Sequence, residues 1–377
     1  MRILIVGGGM GGTILANNLA RRLKNEVRQG KAQITMLSAS EQHMYQPGLL
    51  YVCVGRMMPD ELYREQASLL EPEIEFHVDP VEEFHLDQNS VKTKSGKTYS
   101  YDSLVIATGS RPAAETVPGL AENSVNCYTE ENALEMLRQV RDFKGGKVGI
   151  VVGVPHKCPM IPLEVTFVLH DYFKEKGIAD KTEFHYTYPI GRLHSLEPVA
   201  KWAQGEFAKM GIKTKTLFNM KEVDGKGKVV HSEESETVDY DLLVSVPPHK
   251  GMEVIEKNKL GAGGFIPTDR LSLKMEGRDN VYIIGDTTNL PISKAGSTAH
   301  FEAEAVAENL AALIKLGEPV REYDGKVFCF IEAGRDRATY AMFDYNHPPA
   351  PKAPNKAVHW FKMAYNQLYW ASARGLL

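Results

Sequence analysis

The chain has 377 residues, 43% of them hydrophobic and 24% charged, and a net charge of -4. That balance describes a globular chain long enough for two cores and excludes a disordered or collagen-like one. It has no long basic run, so no nucleic-acid partner is expected. No apolar run approaches the roughly 18 residues that cross a bilayer.

Met1-Arg2 leads straight into an apolar stretch, residues 2–6, which reads as a strand. Without an apolar segment and a small-residue cleavage site in front of it, a cytoplasmic location is the starting expectation. Gly7-Gly8-Gly9-Met10-Gly11-Gly12 follows. Residues 13–23 then carry Ile14, Leu15, Leu19 and Leu23 at helical spacing, and residues 33–37 read as a second strand. In this strand–turn–helix–strand context Gly7-x-Gly9-x-x-Gly12 is a dinucleotide fingerprint. Gly7 allows the tight turn, Gly9 lets the backbone approach a pyrophosphate, and Gly12 permits close packing of the helix. The free N–H groups of the helix start would face the anion. At the end of the second strand, where a carboxylate usually holds the ribose, stands Ser38, with Glu41 nearby.

A β-rich stretch comes next, with strands expected at 74–78 and 90–93. Residues 101–106 form an apolar strand running into Ala107-Thr108-Gly109, and Pro112 and Pro118-Gly119 mark a crossing between domains. A second alternating region starts with a strand at 147–152 and a helix over 162–176. Strands follow at 183–187 and 242–246. Pro247-Pro248 marks the return, a strand at 281–285 closes on Asp286, and residues 301–314 read as a helix. The pattern predicts an α/β protein with two Rossmann-like dinucleotide-binding domains, the second inserted into the first. Residues 1–113 and 248–355 make the first domain and 114–247 the second. Beyond Pro348-Pro349, Pro351 and Pro354, residues 356–377 crowd Val358, Trp360, Phe361, Met363, Tyr365, Leu368, Tyr369 and Trp370 together with Lys356, Lys362 and Arg374. That composition suits an amphipathic helix lying on a membrane surface. The alternative is a helix packed on the protein or on another subunit. If the tail is a membrane anchor, it should be removable without harm to the soluble chemistry.

The four cysteines, Cys53, Cys127, Cys158 and Cys329, have no C-x-x-C spacing, and no metal site is expected. Taken alone they read as small buried hydrophobes. In a cytosolic chain, a disulfide would be catalytic or redox-sensing. Cys158 has more to it. After the strand at 147–152, a second glycine fingerprint is due, but the run is Gly153-Val154-Pro155-His156-Lys157-Cys158. Proline offers no N–H to a phosphate and adds bulk, so NAD(P)H should bind poorly here. Cys158 instead falls at a helix start, where the dipole should favour its thiolate, and Glu164 follows as a carboxylate able to take a proton.

The glycine fingerprint, Ala107-Thr108-Gly109 and Ile284-Gly285-Asp286, in this order, resemble the flavoprotein disulfide reductase superfamily, whose glutathione-reductase-like fold binds FAD. Cys158-Pro159-Met160-Ile161-Pro162-Leu163-Glu164, Tyr45-Gln46-Pro47, Pro247-Pro248, Ser293-Lys294-Ala295-Gly296 and Val327-Phe328-Cys329-Phe330 narrow the resemblance, which covers essentially the whole chain. It is to the sulfide:quinone oxidoreductases and the flavoprotein of flavocytochrome c sulfide dehydrogenase. The resemblance implies that Gly7, Gly9, Gly12, Ser38, Ala107, Thr108, Gly109, Asp286 and Lys294 hold FAD, with Asp286 at the ribityl chain and Lys294 beside the flavin ring. It implies that Cys158 and Cys329 form a disulfide, directly or through extra sulfur. Hydrosulfide attacks Cys329, Cys158 leaves as thiolate and passes two electrons to the flavin, and Glu164 is the candidate base. Cys127 is expected to assist sulfur release or to hold FAD covalently. Cys53 is read as a packed thiol. Sulfide, a quinone and the membrane surface are the expected partners, with a homo-oligomer left open. The expected place is the cell membrane, peripheral, on its cytoplasmic side. Gly191-Arg192-Leu193-His194 matches the family's quinone segment only loosely, so a periplasmic haem acceptor and a type II NADH dehydrogenase stand as alternatives. A non-enzymatic sulfur carrier is the third.

Overall fold

The structure, a computed structural model, describes residues 1–376. Leu377, the last residue of the expected tail, lies outside the described residues. The expected strands form where apolar runs can be buried on both faces. Arg2–Val6, Gln33–Ser38, Ile74–Val78, Ser103–Ile106 and Val281–Ile283 make one parallel sheet, in the order 281–283, 103–106, 2–6, 33–38, 74–78. Near-continuous Ile, Leu and Val in its central strands is what helices on both faces require. The helices Met10–Arg22 and Gly296–Leu316 pack against one another and cover one face, burying Ile14, Leu15, Leu19, Val306 and Leu310 with Ile3 and Ile5. The other face carries Leu4, Val6, Leu104 and Ile106 into a second core with Phe84, Val91 and Ile266.

The second parallel sheet orders Lys213–Thr216, Thr182–Tyr188, Gly146–Val152 and Leu242–Val246. It packs on the helices Glu130–Asp142, Ile161–Glu175 and Glu197–Met210 around Ile150, Phe167, Tyr186 and Phe207. Two antiparallel strands, Ser110–Pro112 and His249–Gly251, carry the chain out to this sheet and back, at the prolines read as the crossing. The first sheet thus takes strands from both ends of the chain and the second from its middle, the arrangement of a duplicated fold with an insertion.

Two departures bear on the site. The helix expected at 301–314 begins earlier, at Gly296, and reaches Leu316. The last segment is two short helices, Lys356–Gln367 and Tyr369–Ala373, and it does not hang free. Val327–Glu332 and Ala338–Phe343 form a hairpin that pairs Cys329 with Ala341, and Lys356–Gln367 lies on it. The tail is therefore packed on the protein along one side. His43 Nε2 lies 2.9 Å from the Tyr369 hydroxyl. Arg21 donates to the Gly375 carbonyl at 2.6 Å. The opposite side stays open, with Trp360 70% and Phe361 69% exposed. Among the described residues no helix is long and apolar enough to cross a membrane.

Candidate active site

Gly7 ends the first strand at φ +120°, and a Cβ there would lie 2.3 Å from the Ala107 carbonyl oxygen. A Cβ on Gly12 would lie 2.0 Å from the Gly7 carbonyl oxygen, so that turn closes only with glycine at both positions. Gly9 has nothing within 4 Å of a Cβ, and it begins the helix Met10–Arg22 with no side-chain cap. Uncapped N–H groups beside open space are what an anionic pyrophosphate needs. The residues thus fit a dinucleotide at the end of the first sheet. Ala107-Thr108-Gly109 stands beside this turn. Thr287 Oγ1 accepts from the Gly109 N–H at 2.7 Å and lies 3.3 Å from Thr108 Oγ1. Ser38 keeps its hydroxyl local: it donates to the Ser40 carbonyl at 2.8 Å and accepts from the Ser40 N–H at 3.2 Å.

Asp286 is buried, yet it is not a simple turn residue. Its Oδ2 lies 3.1 Å from Lys157 Nζ and accepts from Ser110 Oγ at 2.9 Å. Burial by itself raises the carboxyl pKa, but Lys157, then Lys294, then Ser110 outweigh it and hold the group below the usual range. Lys157, in the degenerate loop of the second sheet, thus reaches across to the first, a role the sequence did not reveal. Lys294 is half-buried. Its ammonium donates to the Asp286 carbonyl at 3.1 Å and the Thr288 carbonyl at 2.6 Å, and lies 4.4 Å over the Phe265 ring. Beneath this turn Glu302 accepts from the Gly285 N–H at 2.5 Å, and burial pushes its carboxyl up to about 8.

In the second-domain loop a Cβ on Gly153 would meet the Pro248 ring at 2.6 Å, so Gly153 packs on a proline much as Gly7 packs on Ala107. Pro155, in the place that Gly9 holds in the first turn, has no N–H to offer a phosphate. The His249 N–H donates to the Pro155 carbonyl at 2.7 Å, which fastens the loop to the return strand.

Cys158 follows in the left-handed region, φ 51°, and its N–H donates to the Lys294 carbonyl at 2.6 Å. The helix after it starts at Ile161, with Met160 as N-cap. The expectation of a dipole-favoured thiolate is corrected here. The Ile161 N–H does lower the Cys158 pKa, but burial, then Glu164, then the Cys329 sulfur raise it further, and the net shift is upward. Cys329 behaves alike. Burial pushes it up to about 12, Ser297 pulls down by hydrogen bonding, Glu164 raises it and Lys362 lowers it. The two thiols, each partly exposed, lie near enough for the Cys329 sulfur to act electrostatically on Cys158, which stands just before the helix Ile161–Glu175 while Cys329 stands on the strand Val327–Glu332. All four cysteines carry free thiols. Cys127 lies further along, close enough to Cys158 to raise its pKa, and its thiol stands beside that of Cys53. Cys53, read from sequence as a packed thiol, is fully buried in the core and has a cysteine neighbour.

Glu164 is the residue whose surroundings were least foreseen. It is 4% exposed, and its Oε1 accepts from Lys362 Nζ at 2.5 Å and from the Glu332 N–H at 2.9 Å. Lys362, taken as a basic residue of an interfacial tail, is 7% exposed. Burial alone depresses its pKa, but Glu164, Tyr51 and Glu332 more than reverse this, and it stays charged. The tail is thus part of the candidate site, which corrects the expectation of a removable appendage.

Strand alternation places Val327, Cys329 and Ile331 towards the core and Phe328 and Phe330 on the other face. There they line a groove of about 440 Å³ with Tyr340, Val358, Phe361 and Tyr365, open beside the exposed aromatic face of the last helices.

A family model described as pyridine nucleotide-disulphide oxidoreductase matches residues 1–305. The mitochondrial sulfide:quinone oxidoreductase of Dictyostelium discoideum is 31% identical over 362 residues, covering 91% of this chain and 78% of that protein. The sulfide-quinone reductase of Aquifex aeolicus is 25% identical over 410 residues, with 99% and 91% coverage. The solved structure of the Aquifex aeolicus sulfide:quinone oxidoreductase superposes with a TM-score of 0.86 at 23% identity, over 99% of this chain and 91% of that one, and so shares its fold. With the whole length aligned and the two thiols near each other, the chain belongs to the pyridine nucleotide-disulphide oxidoreductase family and, within it, to the sulfide:quinone oxidoreductases.

Proposed function

We propose that this chain binds FAD, oxidises sulfide at the Cys158–Cys329 pair and delivers the electrons to a quinone. The observation that carries the reading is the nearness of these two thiols, after a second-domain loop in which Pro155 stands where a glycine N–H would meet a phosphate. In the oxidised enzyme the two sulfurs are joined. Hydrosulfide forms a new S–S bond to Cys329, the original S–S bond breaks, and its electron pair stays on Cys158 as the leaving thiolate. A raised pKa makes the Cys158 thiolate a more basic and more nucleophilic donor once formed, and a poorer leaving group in the exchange that forms it. Bound FAD would supply the acceptor for that electron pair and the donor to quinone. Gly9 and the helix start after it would hold its pyrophosphate, with Gly7 and Gly12 closing the turn, and Ala107, Thr108 and Gly109 would line the turn next to it. Ser38 would stand at the ribose, and Asp286 and Lys294 would hold the redox end. Cys127, near enough to Cys158 to act on it electrostatically, is the candidate for assisting release of the sulfur held on Cys329.

The test is direct. Under anaerobic conditions, sulfide is expected to bleach the flavin absorbance of the holoenzyme rapidly, NADH at micromolar levels is expected to leave it unchanged, and a quinone analogue should restore it. Rapid bleaching by NADH would instead favour the NADH dehydrogenase alternative.

The groove lined by Phe328 and Phe330 suits an apolar quinone, on the opposite face of the strand from Cys329. The exposed Trp360 and Phe361 beside it suit docking on a lipid surface, from which such a substrate enters without crossing water. A Trp360→Ser/Phe361→Ser protein is expected to sediment with anionic liposomes several-fold less than the wild type and to keep its FAD. Unchanged sedimentation would remove the lipid-docking role of this face.

A further inference from the structure

Glu302 is a buried carboxyl to which the proposed chemistry assigns no task. We propose that Glu302 stores a proton for the redox end of the site, gaining one from water when an electron pair reaches the bound FAD and releasing it when the pair leaves for the acceptor. The proposal rests on the FAD part of the reading above and needs nothing from its sulfide part.

The geometry sets Glu302 apart from a simple turn anchor. It is 0% exposed. It stands in the helix Gly296–Leu316 that follows Lys294, and its Oε2 accepts from the Gly285 N–H at 2.5 Å, in the turn that carries Asp286. Its Oε1 is buried too and has no hydrogen-bond partner among the described residues. Holding the Gly285 N–H takes one acceptor oxygen and no charge, which an amide would supply equally well. An ionised carboxylate with one bare oxygen in the interior is costly, and the protonated acid carries no charge to strand there. Glu302 is therefore neutral at rest, and the charges beside it set when it ionises.

Those charges belong to the redox end. Lys294 favours the Glu302 anion and Asp286 its acid, and Glu302 in turn acts on Lys294. Lys157 lies 3.1 Å from Asp286. Tyr323 and Tyr345, from the chain beyond the helix, feel the Glu302 charge. The helix Met10–Arg22, packed alongside, brings Gly11, Ile14 and Leu15 to this level, none of which titrates. On the helix of Glu302 itself, His300 pairs with Glu304 at 3.1 Å and lies 3.2 Å from the Ser372 hydroxyl. With Glu302 neutral, Lys157 and Lys294 against Asp286 leave one positive charge, which favours an arriving negative one. With Glu302 ionised the cluster is balanced, and that advantage is gone.

The Glu302 carboxyl titrates at about 8, because burial raises it more than the Gly285 N–H and Lys294 lower it. Two electrons and one proton on the flavin ring leave it one charge more negative, which raises Glu302 further. Well below that pH, Glu302 is neutral before and after reduction and adds nothing to the pH dependence. Above it, each two-electron reduction also forms one O–H bond on Glu302, with the proton drawn from water, and reoxidation returns that proton. There the potential falls more steeply with pH than it would without the carboxyl.

The experiment measures the flavin potential of the FAD-loaded full chain by spectroelectrochemistry with mediator dyes. It uses no sulfide, so its result is separate from the sulfide reading. The comparison is Glu302→Gln, which keeps an acceptor for the Gly285 N–H and is expected to keep its FAD. The two potentials should coincide near neutral pH and separate above about pH 8. By about pH 9.5 the wild type should be about tenfold harder to reduce, or about 30 mV lower for two electrons. Potentials that run parallel over the whole range would overturn the proposal. Infrared difference spectra of the wild type alone serve should the variant not fold. At the alkaline end, reduction is expected to add the carbonyl band of a protonated carboxyl that shifts in D2O, and its absence would equally overturn the proposal. A chain that holds no FAD would bring down the cofactor reading and the proton store with it.

Discussion

Cys158→Ser and Cys329→Ser are each expected to lower sulfide-driven flavin bleaching by about 10³-fold or more while FAD stays bound, because removing the reacting atom of a covalent mechanism leaves only binding and positioning. The two losses should not add, since either serine prevents the same disulfide and the double variant removes nothing further. Retention of FAD is expected on structural grounds. Neither thiol belongs to the Gly7–Gly12 turn or to the Asp286 cluster, and serine is close to cysteine in volume. The informative contrast is with Cys127→Ser. That residue lies beyond Cys158 and beside Cys53, so its loss should spare the first bleaching event and slow repeated turnover. Stopped-flow absorbance separates the first event from the steady state. A Cys329→Ser protein that bleaches at the wild-type rate would mean that sulfide reacts elsewhere.

Lys362→Met is expected to destabilise the protein by about 3–5 kcal/mol, because it leaves the Glu164 carboxylate in the interior without its partner cation. The pair is at 2.5 Å, with both side chains under a tenth exposed, which is where removal of one partner costs most. Truncation after Pro354 should be at least as damaging, since it also strips the buried Tyr369 from His43 and Tyr45. A Lys362→Met/Glu164→Gln protein should recover part of the loss, because the stranded charge has gone. Urea unfolding followed by tryptophan fluorescence measures all three. A Lys362→Met midpoint equal to the wild type would show that the last helix is held by its apolar contacts alone. The consequence for function is that a membrane-release experiment cannot be made by deleting the tail. It has to be made on Trp360 and Phe361, whose side chains face outward, 70% and 69% exposed.

The glycine turn shows how far a linear pattern reaches. The approach of Gly7 to Ala107 comes from a distant strand, but Gly12 packs on the Gly7 carbonyl five residues back, so the spacing announces the turn and the helix start. The same holds for the strands at 2–6, 74–78, 90–93 and 242–246, whose apolar runs coincide with the observed ones. Pro155 likewise carried its message unaided, since a proline lacks an N–H wherever it is placed. The tail shows the limit. Its mixture of aromatic and basic residues fits a lipid surface and a protein groove equally well, and the structure divides it between the two: Tyr369 and Lys362 inward, Trp360 and Phe361 outward.

The fold and the family are therefore legible in short-range spacing and in motifs kept together, and the same motifs single out Cys158 and Cys329 as the candidates. The electrical surroundings of those cysteines come instead from the packing of distant segments. Cys158 was expected to be favoured as a thiolate by its helix, but desolvation and Glu164 act in the opposite sense and prevail. Lys362 reaches Glu164 across 198 residues of chain, and Lys157 reaches Asp286 from one sheet to the other. Such pairs leave no periodicity to read. Their existence depends on which faces the packed helices and strands present to one another, and the energy that shifts a buried thiol comes from those faces: the water they exclude and the charges they bring close.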